Sequence, residues 1–71
     1  MIVQIARGYR AIVRYSEADV SYIADIPQLP GCSALGDTEV LAIEAIEEAC
    51  AAWIASAIAN GIPVPPPTGA A

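Results

Sequence analysis

Hydrophobic and polar residues alternate with the period of a β-strand in two neighbouring segments, residues 10–15 and residues 20–26. The residues between these segments, beginning with Ser16-Glu17, have turn chemistry. A hairpin that pairs Ser16 with Ser21 places the more apolar faces of both strands on the same side. The pattern therefore predicts an antiparallel hairpin in this register.

Two prolines, Pro27 and Pro30, end the second strand, because proline lacks the backbone donor of a sheet ladder. Residues 32–35 are long enough for a third short strand, which Gly36 ends. Residues 1–9 extend the first strand, form a short extra strand or are loose, and the pattern does not choose among these.

A helical period begins after Thr38, a good N-cap, and continues to about Asn60, where Asn60-Gly61 is a C-cap signal. The apolar stripe of this helix consists of Ala42, Ile43, Ile46, Ala49, Cys50, Trp53 and Ala57. Together the elements predict the α+β class in the order β-β-β-α, a small antiparallel three-stranded sheet with one long helix packed on one face. This single domain spans residues 1–62, and residues 63–71 form a proline-rich, extended tail.

The outer face of the helix changes character along its length. Its first half is acidic, with Glu44, Glu47 and Glu48. Its second half is apolar and lined mainly by alanine, and the residues of interest are Ala51, Ile54, Ala55, Ile58 and Ala59. These residues are either helix formers in an alanine-rich chain or a face that packs against a second subunit.

The 71 residues make one small domain, whose core is marginal without a partner or a second copy. A homo-oligomer, dimer or tetramer, is therefore expected. The formal net charge is −5, and the cations are Arg7, Arg10 and Arg14 alone. This acidic net charge, with only three arginines, does not provide the basic patch that nucleic acid binding needs. It favours a basic protein partner.

The sequence contains few residues that could act in catalysis or bind a metal. It contains no histidine, and its carboxylates are scattered, so we predict no enzyme, no metal site and no cofactor. Cys32 and Cys50 are interpreted as buried, reduced core residues, with a disulfide or a reactive thiol as alternatives. No signal peptide is visible, and the apolar residues 49–64 are too few to span a membrane, so a cytoplasmic protein is expected.

One segment of the chain resembles a known family, the HicB antitoxins. The resemblance covers roughly residues 10–69, most of the chain, and its central motif is the strand and turn of residues 22–32 (YIADIPQLPGC) with Gly36-Asp37-Thr38 before the helix. Further matching positions are Tyr15-Ser16-Glu17, Ala42, Ala49, Trp53 and residues 61–65.

The resemblance implies a truncated ribonuclease H fold without catalytic carboxylates, and a protein that binds and occludes HicA, a small basic toxin that cleaves messenger RNA. Many members also carry a DNA-binding domain, for which this chain leaves no room, so operator binding is not expected. The residues predicted to contact the toxin are Arg10, Ile12, Arg14, Ile23, Asp25, Glu44, Glu47 and Glu48. The alternative is a stand-alone oligomeric scaffold or regulator with no toxin partner.

Overall fold

The computed structural model describes residues 1–65, so most of the predicted tail lies outside the described residues. Four strands precede one helix, which confirms the α+β class. The strands, in chain order, are β1 (Ile2–Gln4), β2 (Arg10–Ser16), β3 (Ser21–Asp25) and β4 (Ser33–Gly36). The helix is α1 (Glu39–Ala59). The sheet is antiparallel and its strands lie in the order β1-β2-β3-β4.

The prediction of three strands was wrong, because the first residues form a further strand at the edge of the sheet. Val3 of β1 pairs with Ala11 of β2. The chain reverses between them through a short 3-10 turn, in which Arg7 and Gly8 both have left-handed φ angles, 68° and 82°. A left-handed backbone is common for glycine and uncommon for arginine. The sequence therefore indicates this reversal at Gly8 but not at Arg7.

The predicted hairpin register is confirmed. Ser16 pairs with Ser21, and Tyr15 pairs with Tyr22. The two tyrosine rings meet edge to face, with their centroids 5.1 Å apart, which is a favourable aromatic geometry. Strand β3 begins one residue later than predicted, because Val20 has a φ of 51° and belongs to the turn.

The inner face of the sheet is covered by α1. Ala11 and Val13 of β2 and Ala24 of β3 are buried against Ile46 and Cys50 of the helix. The rest of this core consists of Ile5, Tyr9, Ile26, Leu29, Cys32 and Ala42. The predicted helix stripe is confirmed, since its members are either in this core or packed against it, apart from Ala57, which is buried near the end of the helix.

Both ends of α1 are capped as the sequence predicts. The Thr38 side-chain oxygen accepts a hydrogen bond from the Leu41 backbone N–H at 3.1 Å. At the other end Gly61 has a φ of 70°, and the Ile62 N–H donates to the Ala57 carbonyl at 2.8 Å. This is the Schellman arrangement, and it satisfies carbonyls that a helix otherwise leaves open.

Gly36 sets the distance between the sheet and the start of the helix. A Cβ atom at this position would lie closer than 3.0 Å to the backbone of Leu41 and Ala42. Backbone atoms in a capped helix cannot move aside as a flexible side chain can. Glycine is therefore required here by space and not by its φ angle.

We predict that Gly36→Ala lowers the free energy of unfolding by more than about 3 kcal/mol, since the first turn of α1 has to move away from β4. Urea unfolding followed by circular dichroism measures this loss. Gly61→Ala is the control, because its Cβ would meet nothing within 4 Å and its cost is the left-handed φ alone, about 1 kcal/mol. Equal losses in the two variants would contradict the close approach at Gly36.

Candidate binding surface

The outer face of the sheet has no element packed on it within residues 1–65, and five predicted contact residues lie there. Because side chains alternate along a strand, residues next to the buried ones point away from α1. The residues brought together are Arg10, Ile12, Arg14, Ile23 and Asp25. The structure thus confirms that they share one face, while their role in binding stays a prediction.

Two further apolar side chains extend this outer face, and the sequence reasoning missed both. Ile2 of β1 pairs with Ile12 of β2 and is 68% exposed. Leu35 of β4 pairs with Ile23 of β3 and is 54% exposed. The signal for Leu35 was the alternation of the third strand, whereas Ile2 could not be placed without knowing that β1 exists. An apolar surface left in water favours association with a partner.

Charge on the outer face is small and slightly positive. The Arg14 guanidinium donates to the Asp25 carboxylate at 2.7 Å, across from one strand to the next. This exposed pair contributes at most about 1 kcal/mol to stability, but it fixes where both side chains point. With Arg10 counted, the outer face carries two cations and one anion.

Two shallow depressions lie next to each other at one end of the outer face. The larger has a volume of 310 Å³, and its walls include Asp25, Pro27 and Ser33. The smaller has a volume of 210 Å³ and lies beside Arg10. Ile12 borders both depressions, as does Pro27. Each is of a size to receive one or two side chains of a partner protein.

The loop between β3 and β4 forms a rigid wall of the larger depression. Its backbone is held by the Leu29 N–H donating to the Ile26 carbonyl and the Cys32 N–H donating to the Leu29 carbonyl, both at 3.0 Å. Leu29 is fully buried. The Trp53 indole N–H on the helix donates to the Pro30 carbonyl at 2.9 Å. The wall is therefore formed before any partner arrives.

The predicted acidic contacts lie elsewhere. Glu44, Glu47 and Glu48 are exposed on α1, and α1 covers the opposite face of the sheet. The glutamates and the five contact residues of the outer face therefore lie on opposite sides of the sheet, and the role of both sets in binding stays a prediction. Sequence reasoning placed each set correctly on its own element but could not show that the two sets face in different directions.

The predicted subunit interface on α1 is only partly exposed. Ala55, Ile58 and Ala59 are exposed, with Ile58 at 70%. Ala51 is half-buried, and Ile54 is partly buried against the core. Ile54 therefore already contributes to the core of its own chain, and the surface left for a second subunit is narrower than predicted.

The groups with perturbed pKa values are buried in the core and not on the outer face. Both cysteines are free. Burial raises the pKa of the Cys32 thiol, and the neighbouring Cys50 raises it further. Burial also raises the pKa of the Cys50 thiol and of the Tyr9 hydroxyl. That hydroxyl donates to the Pro65 carbonyl at 2.6 Å, which ties Pro65 to the domain.

These observations define a small α+β domain with a helix-covered face and an open face that carries both apolar and charged side chains, a form suited to binding another protein. Within residues 1–65 no group of three or more potential metal ligands is present, and no helix is long and apolar enough to cross a membrane.

The family model for the HicB-like antitoxin of bacterial toxin–antitoxin systems matches residues 9–71, nearly the whole chain. The chain therefore belongs to the HicB-like antitoxin family, which supports an antitoxin role and suggests a non-catalytic one. Neither the curated proteins nor the solved structures compared with the chain gave a match. The likeness to a truncated ribonuclease H fold accordingly stays a prediction.

The raised pKa values predict that alkaline pH destabilises the fold. Cys32, Cys50 and Tyr9 are neutral in the folded chain, and the unfolded chain releases their protons first as the pH rises. Stability is therefore unaffected below about pH 8.5, the ordinary value for cysteine, and falls above it. Urea unfolding measured between pH 7 and pH 11 tests this expectation.

In Tyr9→Phe the hydrogen bond to Pro65 is lost, and we expect a loss of about 1 kcal/mol at pH 7. The further decline above about pH 10, the ordinary value for tyrosine, should become shallower, while the decline that begins near the cysteine value remains. Tyr15→Phe, at a half-exposed ring, is the control and should keep the wild-type stability at pH 7. A decline of equal depth in Tyr9→Phe and the wild type would contradict the assignment to Tyr9.

Proposed function

We propose that this protein is an antitoxin that binds a small basic, messenger-RNA-cleaving toxin of the HicA type and occludes it without catalysis. The observation that carries the proposal is the open outer face of the sheet, in a chain of the HicB-like antitoxin family. That face has two exposed isoleucine side chains, Ile2 and Ile12, that line preformed depressions.

Burial of apolar side chains supplies the affinity in this proposal. Each square ångström of apolar surface removed from water contributes about 25 cal/mol. Ile12 is placed best, because it borders both depressions and lies on a central strand of the sheet. A central, well-surrounded side chain is where binding energy concentrates in protein interfaces.

Attraction of a basic partner requires a different part of the molecule, because the outer face itself is slightly positive. The formal net charge of −5 and the exposed Glu44, Glu47 and Glu48 create a negative field around the domain. Such a field raises the association rate with a basic protein and is screened by salt. In this proposal the glutamates steer the toxin, and the outer face holds it.

Occlusion follows from the nature of the toxin. A ribonuclease that holds RNA through arginine and lysine side chains loses its activity when a folded domain covers those side chains. The antitoxin then needs no reactive group of its own. A cytoplasmic location fits this role, because messenger RNA is the substrate of the toxin.

We expect Ile12→Lys to weaken toxin binding by at least roughly tenfold, which corresponds to about 1.4 kcal/mol, because a charge replaces the apolar contact between the depressions. The partner to use is a small basic protein of the HicA type, sought first among the genes beside this one. Calorimetry measures the affinity, and an RNA cleavage assay measures the inhibition. Ile58→Lys, which introduces the same charge at an exposed isoleucine of α1, is the control and should bind normally.

Failure of any such basic protein to bind the wild-type chain would refute the proposed function. Binding that survives Ile12→Lys but not Ile58→Lys would move the toxin site to the helix.

The triple variant Glu44→Gln, Glu47→Gln, Glu48→Gln tests the steering role. We expect a slower association that depends less on salt, and an unchanged dissociation rate, because the carboxylates act at a distance. Stopped-flow fluorescence at several salt concentrations measures both rates. Glu17→Gln, on the β2–β3 turn, removes one charge outside α1 and is the control for loss of a carboxylate elsewhere on the chain. A faster dissociation of the triple variant would show that the glutamates contact the toxin directly.

A second candidate is a stand-alone oligomeric scaffold or regulator without a toxin. The exposed Ile58 and the nearby Ile62, at 70% and 53%, favour it, together with Ala55 and Ala59 between them. This candidate requires self-association through α1. A molar mass of a single chain in light scattering would exclude it.

A further inference from the structure

Strand β4 forms an open edge of the sheet. It pairs with β3 on one side, and within residues 1–65 its other side faces no strand. In an antiparallel ladder alternate residues direct their N–H and C=O groups away from the partner strand. The outward groups of β4 make no hydrogen bond with another described residue. They are available to a strand from outside.

This edge lacks three of the devices that normally prevent strand pairing, namely charged side chains, proline and bulges. Proteins protect open edges with charged side chains, proline, bulges or very short strands. β4 consists of Ser33-Ala34-Leu35-Gly36, with no charge and no proline, and it pairs with β3 in an unbroken register. The opposite edge, β1, is shorter, with three residues. β4 is therefore the better template for an added strand.

Exposed apolar side chains lie on both sides of the β4 edge. Leu35 is exposed on the outer face. On the inner side the first turn of α1 lies directly against Gly36 and exposes Val40 and Leu41, at 62% and 47%. A strand that added to β4 would bring its own flanking residues against both groups. The edge thus combines open backbone groups with apolar surface, the two requirements for β-strand addition.

We propose that two copies of this chain pair through β4, antiparallel about a twofold axis, and form one continuous eight-stranded sheet. A second copy fits the edge because the surface is complementary to itself under twofold symmetry. In registers centred on Ala34 or Leu35, Asp37 lies opposite residues 31–33 of the other copy, which are uncharged. The nearest acidic residues therefore do not meet. The marginal core of a 71-residue chain adds a reason to associate.

Sedimentation equilibrium of the full chain at micromolar concentration tests the proposal. We expect the wild type to be a dimer, and Leu35→Lys to raise the dimer dissociation constant by at least roughly tenfold, because a cation replaces an apolar contact near the axis and faces its own copy. Thermal unfolding verifies that Leu35→Lys is folded. A wild type that stays monomeric, or a Leu35→Lys variant that dimerises as well as the wild type, would overturn the proposal.

Three variants with the same new charge separate the β4 edge from other surfaces. Ile12→Lys lies in the middle of the outer face, Ile2→Lys on the β1 edge, and Ile58→Lys on α1. All three should still dimerise. Loss of the dimer in Ile12→Lys would indicate face-to-face association, and loss in either of the others would place the interface on β1 or on the helix. Each of these outcomes rejects the β4 edge.

Amide hydrogen exchange measures the protection of backbone N–H groups, which side-chain packing alone does not change. The outward amides of β4 should exchange more slowly as the protein concentration rises, and Leu35→Lys should remove this dependence. Unchanged exchange across a concentration range in which the dimer forms would contradict strand pairing. The experiment needs no toxin, so its failure and the failure of the proposed function are distinguishable.

Discussion

One helix can cover only one face of a four-stranded sheet, and this limit determines the rest of the molecule. Gly36 lets α1 begin directly against β4, and from there the helix buries Ala24 and Val13 beneath Ile46 and Cys50. The other face receives no helix within the described residues. Its isoleucine and leucine side chains stay in contact with water unless another protein covers them. The asymmetry of the fold is thus what leaves a surface free for the binding that we propose.

The small core is supplemented by two aromatic side chains that each hold a loop through a polar atom. The Trp53 indole reaches the Pro30 carbonyl, and the Tyr9 hydroxyl reaches the Pro65 carbonyl. Both rings bury apolar area while their polar atoms remain hydrogen-bonded, which avoids the cost of an unpaired buried donor. Trp53 therefore stabilises the wall of the larger depression from the opposite side of the sheet, and connects the core to the candidate site.

Sequence reasoning predicted the parts of the fold that depend on side-chain periodicity. The β2–β3 register followed from the alternation around Tyr15 and Tyr22, and the ends of α1 followed from Thr38 and Gly61. It could not predict β1, because the chain reversal that follows this strand places Arg7 in a left-handed conformation that the sequence does not indicate. The positions of the candidate-site residues were predicted only in part. Strand positions share a face by rule, whereas the direction of a helix face relative to a sheet depends on packing.

The arrangement of surfaces bears on whether self-association and toxin binding can coexist. A dimer that stacked two outer faces would bury Ile12 and compete with any toxin at the depressions. Pairing through β4 instead places the two outer faces side by side, since an added strand continues the sheet in its own plane. Each copy would keep Ile12 and the smaller depression open and its glutamates exposed on the far side of the sheet, while residues 31–33, which line the larger depression, would lie beside the strand of the other copy. Edge pairing therefore adds stability to a small core while it leaves Ile12, the central residue of the proposed antitoxin surface, uncovered.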